Sequence, residues 1–283
     1  MMTRRRFVAA AAALPVAAAS DWEPVPVWQQ FLPMASLPRP QAPRGLGVGA
    51  PWQDPQPVAQ MLARLQPSWW YDWRFEQCGA PGYVPMIWSD TIWSSRMREL
   101  ESLFVRRPDV FWLLWNEPER ADQANMHADE AARITTGISG NYGIEYAAPG
   151  VALTTDGYNW LHDYMAADAP IPHMWHVHIY RTDEPDEWRD AWGAWVDWMT
   201  HHNVVRPTIV SETNGWTGTA YSQRAVMRAA GEMMADDDLL QAIGWFSTRY
   251  NGWGAGQPHL LNHDGTLTEV GEEFAAWQSH SRH

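Results

Sequence analysis

Short apolar segments alternate with amphipathic segments along most of the chain. Apolar residues in the amphipathic segments recur every three or four positions, which is the spacing of one helix face. Short buried strands separated by such helices are typical of a parallel sheet with helical crossovers. Eight units in about 240 residues fit a single (β/α)8 TIM barrel of the α/β class better than a doubly wound sheet. The predicted strands are residues 45–50, 68–73, 84–88, 110–115, 144–148, 174–180, 207–212 and 242–247.

Local signals mark the ends and the buried faces of several predicted helices. Asp54 followed by Pro55 is typical of a helix N-terminus, and Thr266 with Glu269 resembles a capping box. Three tryptophans recur at helical spacing, so we expect them to pack one helix against the barrel. They are Trp188, Trp192 and Trp195.

The amino-terminal segment has the features of an export signal. Residues 4–6 are arginines and precede Phe7 and an alanine-rich apolar run that ends at Ala19, with small residues at a cleavage site. The arginine pair resembles the signal of the twin-arginine export route. The apolar run is shorter than the roughly 20 residues of a membrane span. We therefore expect residues 1–19 to be removed and the protein to reach the periplasm or the extracellular space, with no membrane attachment afterwards.

The rest of the chain divides into a leader and one domain. Residues 20–43 contain six prolines, which predicts an irregular leader. Residues 44–283 form the predicted barrel. The only cysteine is Cys78, so no internal disulfide is expected.

The composition excludes several kinds of chemistry. All 20 basic residues are arginine, so a Walker-type phosphate loop, a Schiff-base lysine and a Ser-Lys hydrolase are impossible. The net charge of −13 argues against nucleic acid as a partner. The 20 tryptophans supply many flat apolar rings, which can form either core or a ligand platform.

Two glutamates lie where such a barrel carries its active site, at the carboxyl ends of the strands. Glu117 follows the fourth predicted strand, and Glu212 ends the seventh. Either residue alone could be a helix N-cap or a solvated loop acid. Two carboxyls that face one cleft are what glycoside hydrolysis needs, one to protonate the leaving oxygen and one to attack or to activate water.

Six short motifs accompany these glutamates along the chain. They are WWYDW at 69–73, VPMIW at 84–88, NEPE at 116–119, HIY at 178–180, SET at 211–213 and DGTLTEVG at 264–271. Together they resemble the retaining glycoside hydrolases of clan A, and within them family 128 and its relatives with an Asl1-like catalytic core. The resemblance implies an endo-acting β-1,3-glucanase with Glu117 as acid/base, Glu212 as nucleophile and Asn116 as a partner of the sugar 2-hydroxyl.

The chain departs from this family pattern at two positions. Asp72 stands where the family carries Asn, and Trp115 stands where it commonly carries Phe or another apolar residue. We include Asp72 among the substrate-binding residues, because an acid there could change which sugar hydroxyl is accepted. The resemblance therefore indicates the reaction type more firmly than the linkage.

Three polar residues share one face of the sixth predicted strand by the two-residue period, namely His176, His178 and Tyr180. A His-x-His pair also occurs in zinc sites, but no acid or cysteine follows at an accompanying ligand spacing, so no metal is predicted. We interpret the three residues as a polar layer inside the barrel. His178 and Tyr180 are expected near the substrate, with Tyr180 hydrogen-bonded to Glu212.

Five further tryptophans lie at strand ends or in the loops that follow, where a ring can stack on the apolar face of a pyranose. Packing beneath a loop is the alternative for each. They are Trp73, Trp88, Trp216, Trp245 and Trp253.

The sequence predicts an exported, retaining glycoside hydrolase that cleaves β-glucan by double displacement, in particular an endo-β-1,3-glucanase. The alternatives are a clan A glycosidase acting on another β-linked glycan and a non-catalytic glycan-binding barrel; a metal-dependent hydrolase would need ligands that the sequence does not supply. We expect a polysaccharide or oligosaccharide substrate, no cofactor and a monomer.

Overall fold

Eight parallel strands form a nearly closed barrel in the computed structural model, which describes residues 40–50, 58–180, 184–215, 219–248 and 259–280. The strands are β1 (Gly45–Gly49), β2 (Trp69–Tyr71), β3 (Met86–Ile87), β4 (Trp112–Leu114), β5 (Tyr146–Ala152), β6 (Met174–Ile179), β7 (Thr208–Thr213) and β8 (Leu240–Phe246). Their order around the sheet is β2-β1-β8-β7-β6-β5-β4-β3. A bridge between Trp70 and Tyr83 connects β2 to the segment before β3 and brings the two ends of the sheet together.

Helices follow every strand except β2 in the described parts of the chain. They are α1 (Val58–Leu65), α2 (Asp90–Arg106), α3 (Ala128–Tyr142), α4 (Thr155–Ala166), α5 (Pro185–His201), α6 (Ala220–Asp236) and α7 (Glu269–His280). Each crossover returns the chain to the amino-terminal end of the next strand, so the carboxyl ends of all eight strands meet on one side.

Side-chain alternation along the strands divides the core into two layers. Trp69 and Tyr71 in β2 belong to an inner cluster, whereas Trp70 between them belongs to an outer cluster. The inner cluster fills the barrel with residues that include Met86, Leu113, Ala147, Met174, Ile209 and Ala242. The outer cluster packs the helices, and the three tryptophans predicted to anchor one helix are buried there on α5: Trp188, Trp192 and Trp195.

The predicted barrel is confirmed, with strand boundaries that differ by a few residues. The largest difference is β5, which extends four residues past the end of the predicted strand 144–148. The predicted capping box is wrong: α7 begins at Glu269, and Thr268 Oγ1 accepts the N–H of Gly271 at 3.0 Å. Thr266 pairs instead with Asp264 in the preceding turn.

Some predictions fall outside the described residues. They are the export signal at 1–19, the leader as far as residue 39, and the helix start at Asp54 and Pro55. Within the described ranges, no helix is long and apolar enough to cross a membrane.

Candidate active site

A turn of unusual backbone geometry fixes Glu117 just after β4. Trp115 and Glu117 have φ angles of 64° and 42°, a region that residues other than glycine rarely adopt. The Trp115 indole N–H donates to Thr135 Oγ1 at 2.9 Å, and the Glu117 N–H donates to Gly150 O at 2.6 Å. A Cβ at Gly150 would lie 2.7 Å from Trp115 O, so this close approach requires glycine. Strain that the surroundings hold in place is common at functional sites.

Glu212 lies in β7 and accepts hydrogen bonds from three side chains. Trp73 Nε1 donates to Oε1 at 2.7 Å, Tyr71 OH donates to Oε1 at 3.2 Å, and Tyr180 OH donates to Oε2 at 2.6 Å. The residue is only 5% exposed. Donors therefore reach both oxygens of this buried carboxyl and fix its orientation.

His178 lies between the two glutamates. Adjacent strands pair it with Glu212, since the β6–β7 register places these two residues opposite each other. Its Nδ1 atom lies 3.1 Å from Glu117 Oε1 and 3.7 Å from Glu212 Oε2, so these two oxygens can be at most about 6.8 Å apart. All three side chains are buried. The barrel therefore brings two carboxyls to one imidazole nitrogen at the carboxyl ends of its strands.

The pKa values of Glu117 and His178 shift in opposite directions. Burial by itself raises the pKa of Glu117, but the hydrogen bond and charge of His178 and the charge of Arg120 outweigh it and lower the pKa. Burial by itself lowers the pKa of His178, but the charge of Glu212 and the contact with Glu117 outweigh it and leave the pKa raised above 6.5. The 3.1 Å contact can therefore hold one proton beside a second carboxylate.

The two phenols beside Glu212 stay protonated. Burial first, and the charge of Glu212 next, raise the pKa of both Tyr71 and Tyr180 well above 10. Tyr71 OH also lies 3.0 Å from the Ser211 carbonyl oxygen. Tyr180 is thus a constant donor to Glu212, whereas the single proton of Tyr71 is shared between Glu212 and the Ser211 carbonyl oxygen.

Two further polar residues are buried next to Glu117. Asn116 Nδ2 donates to Gln123 Oε1 at 3.2 Å, whereas no donor in the described ranges reaches Asn116 Oδ1. Glu119 Oε1 accepts the Ala152 N–H at 2.9 Å, and burial raises the pKa of Glu119 to about 6. Asn116 therefore retains an acceptor oxygen that the described side chains leave unsatisfied.

Two cavities lie near the pair of glutamates. The first, which we call the Trp88 cavity, measures about 260 Å³ and includes Trp73, which donates to Glu212, together with Arg74 and Trp88. The second, the Arg120 cavity, measures about 330 Å³ and is lined by Glu117, Arg120, Ala152, Thr154, His178 and Tyr180 among others. A larger cavity of about 930 Å³ lies at the opposite ends of the strands, and neither glutamate lines it. Glu117 therefore lines one of the two smaller cavities, and Glu212 contacts a wall residue of the other, Trp73.

A family model described as a glycosyl hydrolase catalytic core matches residues 49–274. The chain belongs to this family. It is a glycoside hydrolase, and the alternative function of a non-catalytic glycan-binding barrel is therefore no longer supported. No match was found among curated proteins.

The fold of this hydrolase is similar to that of solved structures from glycoside hydrolase family 128. An endo-β-1,3-glucanase of subgroup II from Sorangium cellulosum is 21% identical, with a TM-score of 0.61 over 82% of this chain and 97% of that one. A curdlan-specific exo-β-1,3-glucanase of subgroup III from Blastomyces gilchristii, in complex with glucose, is 18% identical, with a TM-score of 0.65 over 81% and 97%. An endo-β-1,3-glucanase mutant of subgroup I from Amycolatopsis mediterranei, in complex with laminarihexaose, is 20% identical, with a TM-score of 0.64 over 83% and 99%.

The structure brings most of the hydrolase's predicted site residues to one end of the barrel. Trp73 contacts Glu212, and Trp88 is half-buried in the wall of the neighbouring cavity. Trp216 and Trp253 lie outside the described residues. The others found together are Asn116, Glu117, His178, Tyr180 and Glu212. No group of three or more His, Cys, Asp or Glu residues in the described ranges could hold a metal ion.

Two predicted substrate contacts are placed elsewhere in the hydrolase. Trp245 lies inside β8, is 2% exposed and packs in the outer core cluster, so it cannot form a sugar platform here. Asp72 is fully buried, and its oxygens accept from Tyr83 OH at 2.5 Å and from Arg74 Nη2 at 2.6 Å. Asp72 therefore supports the side chain of Arg74 and does not face the cleft.

Two further residues of the site, Tyr71 and Arg120, carry no clear signal in the sequence pattern. Tyr71 donates to Glu212 from β2, and its position two residues before Trp73 was the available signal, because residues two apart share a strand face. Arg120 Nη1 lies 3.4 Å from Glu117 Oε2. No strand or helix period marks Arg120, because it lies in a turn.

Proposed function

We propose that this glycoside hydrolase cleaves β-glucan with retention of configuration, as an endo-β-1,3-glucanase. The observation that carries the proposal is the approach of two buried carboxyls, Glu117 and Glu212, to the same nitrogen of His178. A pair of carboxyl groups with different surroundings is the usual equipment of glycosidases.

The surroundings favour different roles for the two glutamates. Glu212 has three donors and is suited to attack the anomeric carbon as a carboxylate. Glu117 shares a proton with His178 and is suited to give that proton to the departing oxygen as the glycosidic bond breaks. Water then attacks the glycosyl ester, Glu117 takes the proton of that water, and the bond to Glu212 breaks. At the end of the cycle Glu212 is a free carboxylate again, Glu117 again carries a proton, and the sugar product is released.

The separation of the carboxyls supports retention. Retaining enzymes hold them about 5–5.5 Å apart, and inverting enzymes about 6.5–9.5 Å apart. The limit of about 6.8 Å between the nearest oxygens barely reaches the inverting range. It leaves little room for the water molecule that inversion requires between the carboxyl and the sugar.

The choice of β-1,3-glucan rests on the three similar structures reported above, each of which is described as a β-1,3-glucanase. Endo action is favoured because each glutamate has a cavity near it, the Arg120 cavity at Glu117 and the Trp88 cavity at Trp73, which contacts Glu212. Asn116, next to Glu117 with an unsatisfied buried oxygen, is suited to accept from the sugar 2-hydroxyl.

The test is the release of reducing sugar from β-1,3-, β-1,4- and mixed-linkage glucans, with product anomers followed by NMR. We expect cleavage of the β-1,3-glucan, with the β-anomer appearing first. Preference for another β-linked glycan would support the alternative glycosidase, and initial α-anomer would overturn retention.

Two matched variants assign the roles of the glutamates. Glu212→Gln should lose on the order of 10⁴-fold or more in kcat on every substrate, because no nucleophile remains. Glu117→Gln should lose activity on glucan but keep the glycosylation step of an activated aryl glycoside, whose leaving group needs little protonation. Equal losses on both substrates would contradict the role of Glu117.

We also propose export through the twin-arginine route. The support is the run of arginines before Phe7 and the apolar segment that follows. Fractionation of cells expressing the full chain should recover an exported form that begins at Ser20. Substitution of Arg4 and Arg5 together by Lys should keep the protein in the cytoplasm, whereas Arg6→Lys is the matched control.

A further inference from the structure

Arg120 lies between an exposed aspartate and a candidate catalytic glutamate. Its Nε and Nη2 atoms donate to the two oxygens of Asp122 at 3.1 and 3.0 Å. Its Nη1 atom lies 3.4 Å from Glu117 Oε2, which is the carboxyl oxygen that does not contact His178. The bidentate contact orients the guanidinium, and the longer contact to Glu117 is the weaker of the two. The Arg120 side chain is 44% exposed, so it can exchange partners with little reorganisation.

The cavity beside Arg120 is located on the acid/base side of the site. Glu117 and Arg120 both line it, whereas Glu212 does not. A proton from Glu117 must reach the oxygen that departs, so the sugar carrying this oxygen has to lie on the Glu117 side. The Arg120 cavity, at about 330 Å³, is the space next to Glu117 that can receive it.

We propose that the Arg120 cavity binds the sugar on the leaving side of the scissile bond, and that the hydroxyls of this sugar compete with Glu117 for the Arg120 guanidinium. This inference rests on the proposed function. With the cavity empty, Arg120 favours the ionised form of Glu117. With the sugar bound, Glu117 accepts its proton more readily and can pass it to the leaving oxygen. When the sugar departs, Arg120 returns, and Glu117 becomes the carboxylate that takes a proton from water.

The other charged and titratable groups around Glu117 do not provide this coupling. His178 also lines the cavity, but it is fully buried and lies between Glu117 and Glu212, so it cannot exchange partners with solvent or sugar as the partly exposed Arg120 can. Arg120 differs from the other groups around Glu117 because it is a permanent cation with a partly exposed side chain. It also lines the cavity together with Glu117. The remaining groups that face Glu117 are Glu119 and Asp122 on its own turn, Tyr71 on β2, Tyr180 after β6 and Glu212 on β7.

The experiment compares two substrates that share the sugars transferred to Glu212 and differ in the leaving group. One is a laminari-oligosaccharide, whose leaving group is a sugar, and the other is a nitrophenyl laminaribioside, whose leaving group has no sugar hydroxyls. For Arg120→Gln in the full chain we expect kcat/KM to fall about tenfold on the oligosaccharide, as for one lost charge-assisted hydrogen bond, and to change little on the nitrophenyl substrate. Arg133→Gln is the matched control, because Arg133 is also paired with a glutamate three residues earlier but lies on the exposed side of α3.

The pH dependence of kcat/KM on the oligosaccharide gives the second measurement. Loss of the Arg120 charge raises the pKa of Glu117, so the basic limb of the profile should move to higher pH. Arg120→Lys keeps the charge but cannot form the two parallel hydrogen bonds to Asp122. The basic limb of the pH profile of this variant should stay near that of wild type, whereas its kcat/KM on the oligosaccharide should fall. If Arg120→Gln does not fold, as judged by its unfolding temperature, Arg120→Lys still tests the comparison of substrates.

Equal losses on both substrates with an unmoved basic limb would overturn the inference, because a purely structural role has that signature. Failure of the proposed function gives a different result. If the wild-type protein cleaves another β-glucan, the same comparison is made with oligosaccharides and nitrophenyl glycosides of that glycan. If Glu212→Gln remains active, the mechanism fails whatever the result for Arg120.

Discussion

His178 holds its Nδ1 atom 3.1 Å from Glu117 Oε1, inside a barrel that excludes solvent from both side chains. The contact lowers the free-energy cost of burying a charge on either side chain. The imidazole offsets the desolvation of the carboxylate, and the carboxylate offsets that of the imidazolium. In the proposed mechanism, the same contact supplies the proton that Glu117 gives to the leaving oxygen. A single pair therefore links the stability of the barrel to its proposed chemistry.

The stability contribution of His178 should depend on pH with a definite sign. Its pKa in the folded protein is raised above the unfolded value of 6.5, because the charges of Glu212 and Glu117 outweigh the opposing effect of burial. The contribution is therefore fully present below pH 6.5 and is lost as the pH rises through the folded pKa. Urea unfolding of wild type and His178→Gln should show a difference in unfolding free energy that shrinks across this range. The exposed His162→Gln variant is the control, and a difference that grows with pH would contradict the assignment.

Tyr180→Phe should lower kcat by about 10- to 100-fold. The change removes a hydrogen bond of 2.6 Å to Glu212, and hydrogen bonds to charged groups contribute about 1.5–3 kcal/mol. Steady-state kinetics on a β-glucan measure the effect, with circular dichroism to check the fold. Tyr142→Phe removes a bond of the same length, to Glu101 outside the site, and should leave kcat unchanged. A similar loss of activity in both variants would mean that the Tyr180 effect is structural.

The periodicity of the sequence predicted the barrel because strands and helices have different repeats. It predicted the end of β5 poorly, since Pro149 and Gly150 resemble a turn in the sequence. In the fold the register shifts between Ala147 and Gly150, and this irregularity accommodates both residues within the strand.

The candidate site was predictable where its residues lie in or directly after strands. The chain position of Glu117 and of Glu212 was sufficient to place both at the carboxyl ends. The roles of Asp72 and Trp245 were not predictable, because burial depends on neighbours far away in the sequence. Arg120 was missed for the same reason: its importance comes from a contact between side chains and not from a repeating pattern.

Asp72→Asn should destabilise the protein by about 1–3 kcal/mol. Asp72 is fully buried and accepts hydrogen bonds from Tyr83 and from three nitrogens of Arg74, one of them the backbone N–H. An Asn side chain would point its own NH₂ group at one or more of these donors. Urea unfolding measures the loss. Asp109→Asn is the matched control, because Arg107 and Asp109 form a similar pair two residues apart at the surface, and its effect should stay within about 1 kcal/mol. Equal effects would show that burial of Asp72 adds nothing.

Trp88→Ala and Trp245→Ala should separate sugar binding from packing. Trp88 is half-buried and lines the Trp88 cavity, so its removal should raise KM about threefold to tenfold on glucan oligosaccharides long enough to reach this cavity. Shorter oligosaccharides should show a smaller change. Trp245 is 2% exposed, so its removal should instead cost about 3–5 kcal/mol of unfolding free energy.

Kinetics with oligosaccharides of increasing length and urea unfolding of both variants test this separation. A rise in KM for Trp245→Ala with unchanged stability would return Trp245 to the cleft, because a buried ring cannot be removed without leaving a cavity in the outer core. An unchanged KM for Trp88→Ala at every length would mean that the substrate does not enter the Trp88 cavity. Endo action would then be supported by the Arg120 cavity alone, because only this cavity would remain to bind the glucan chain.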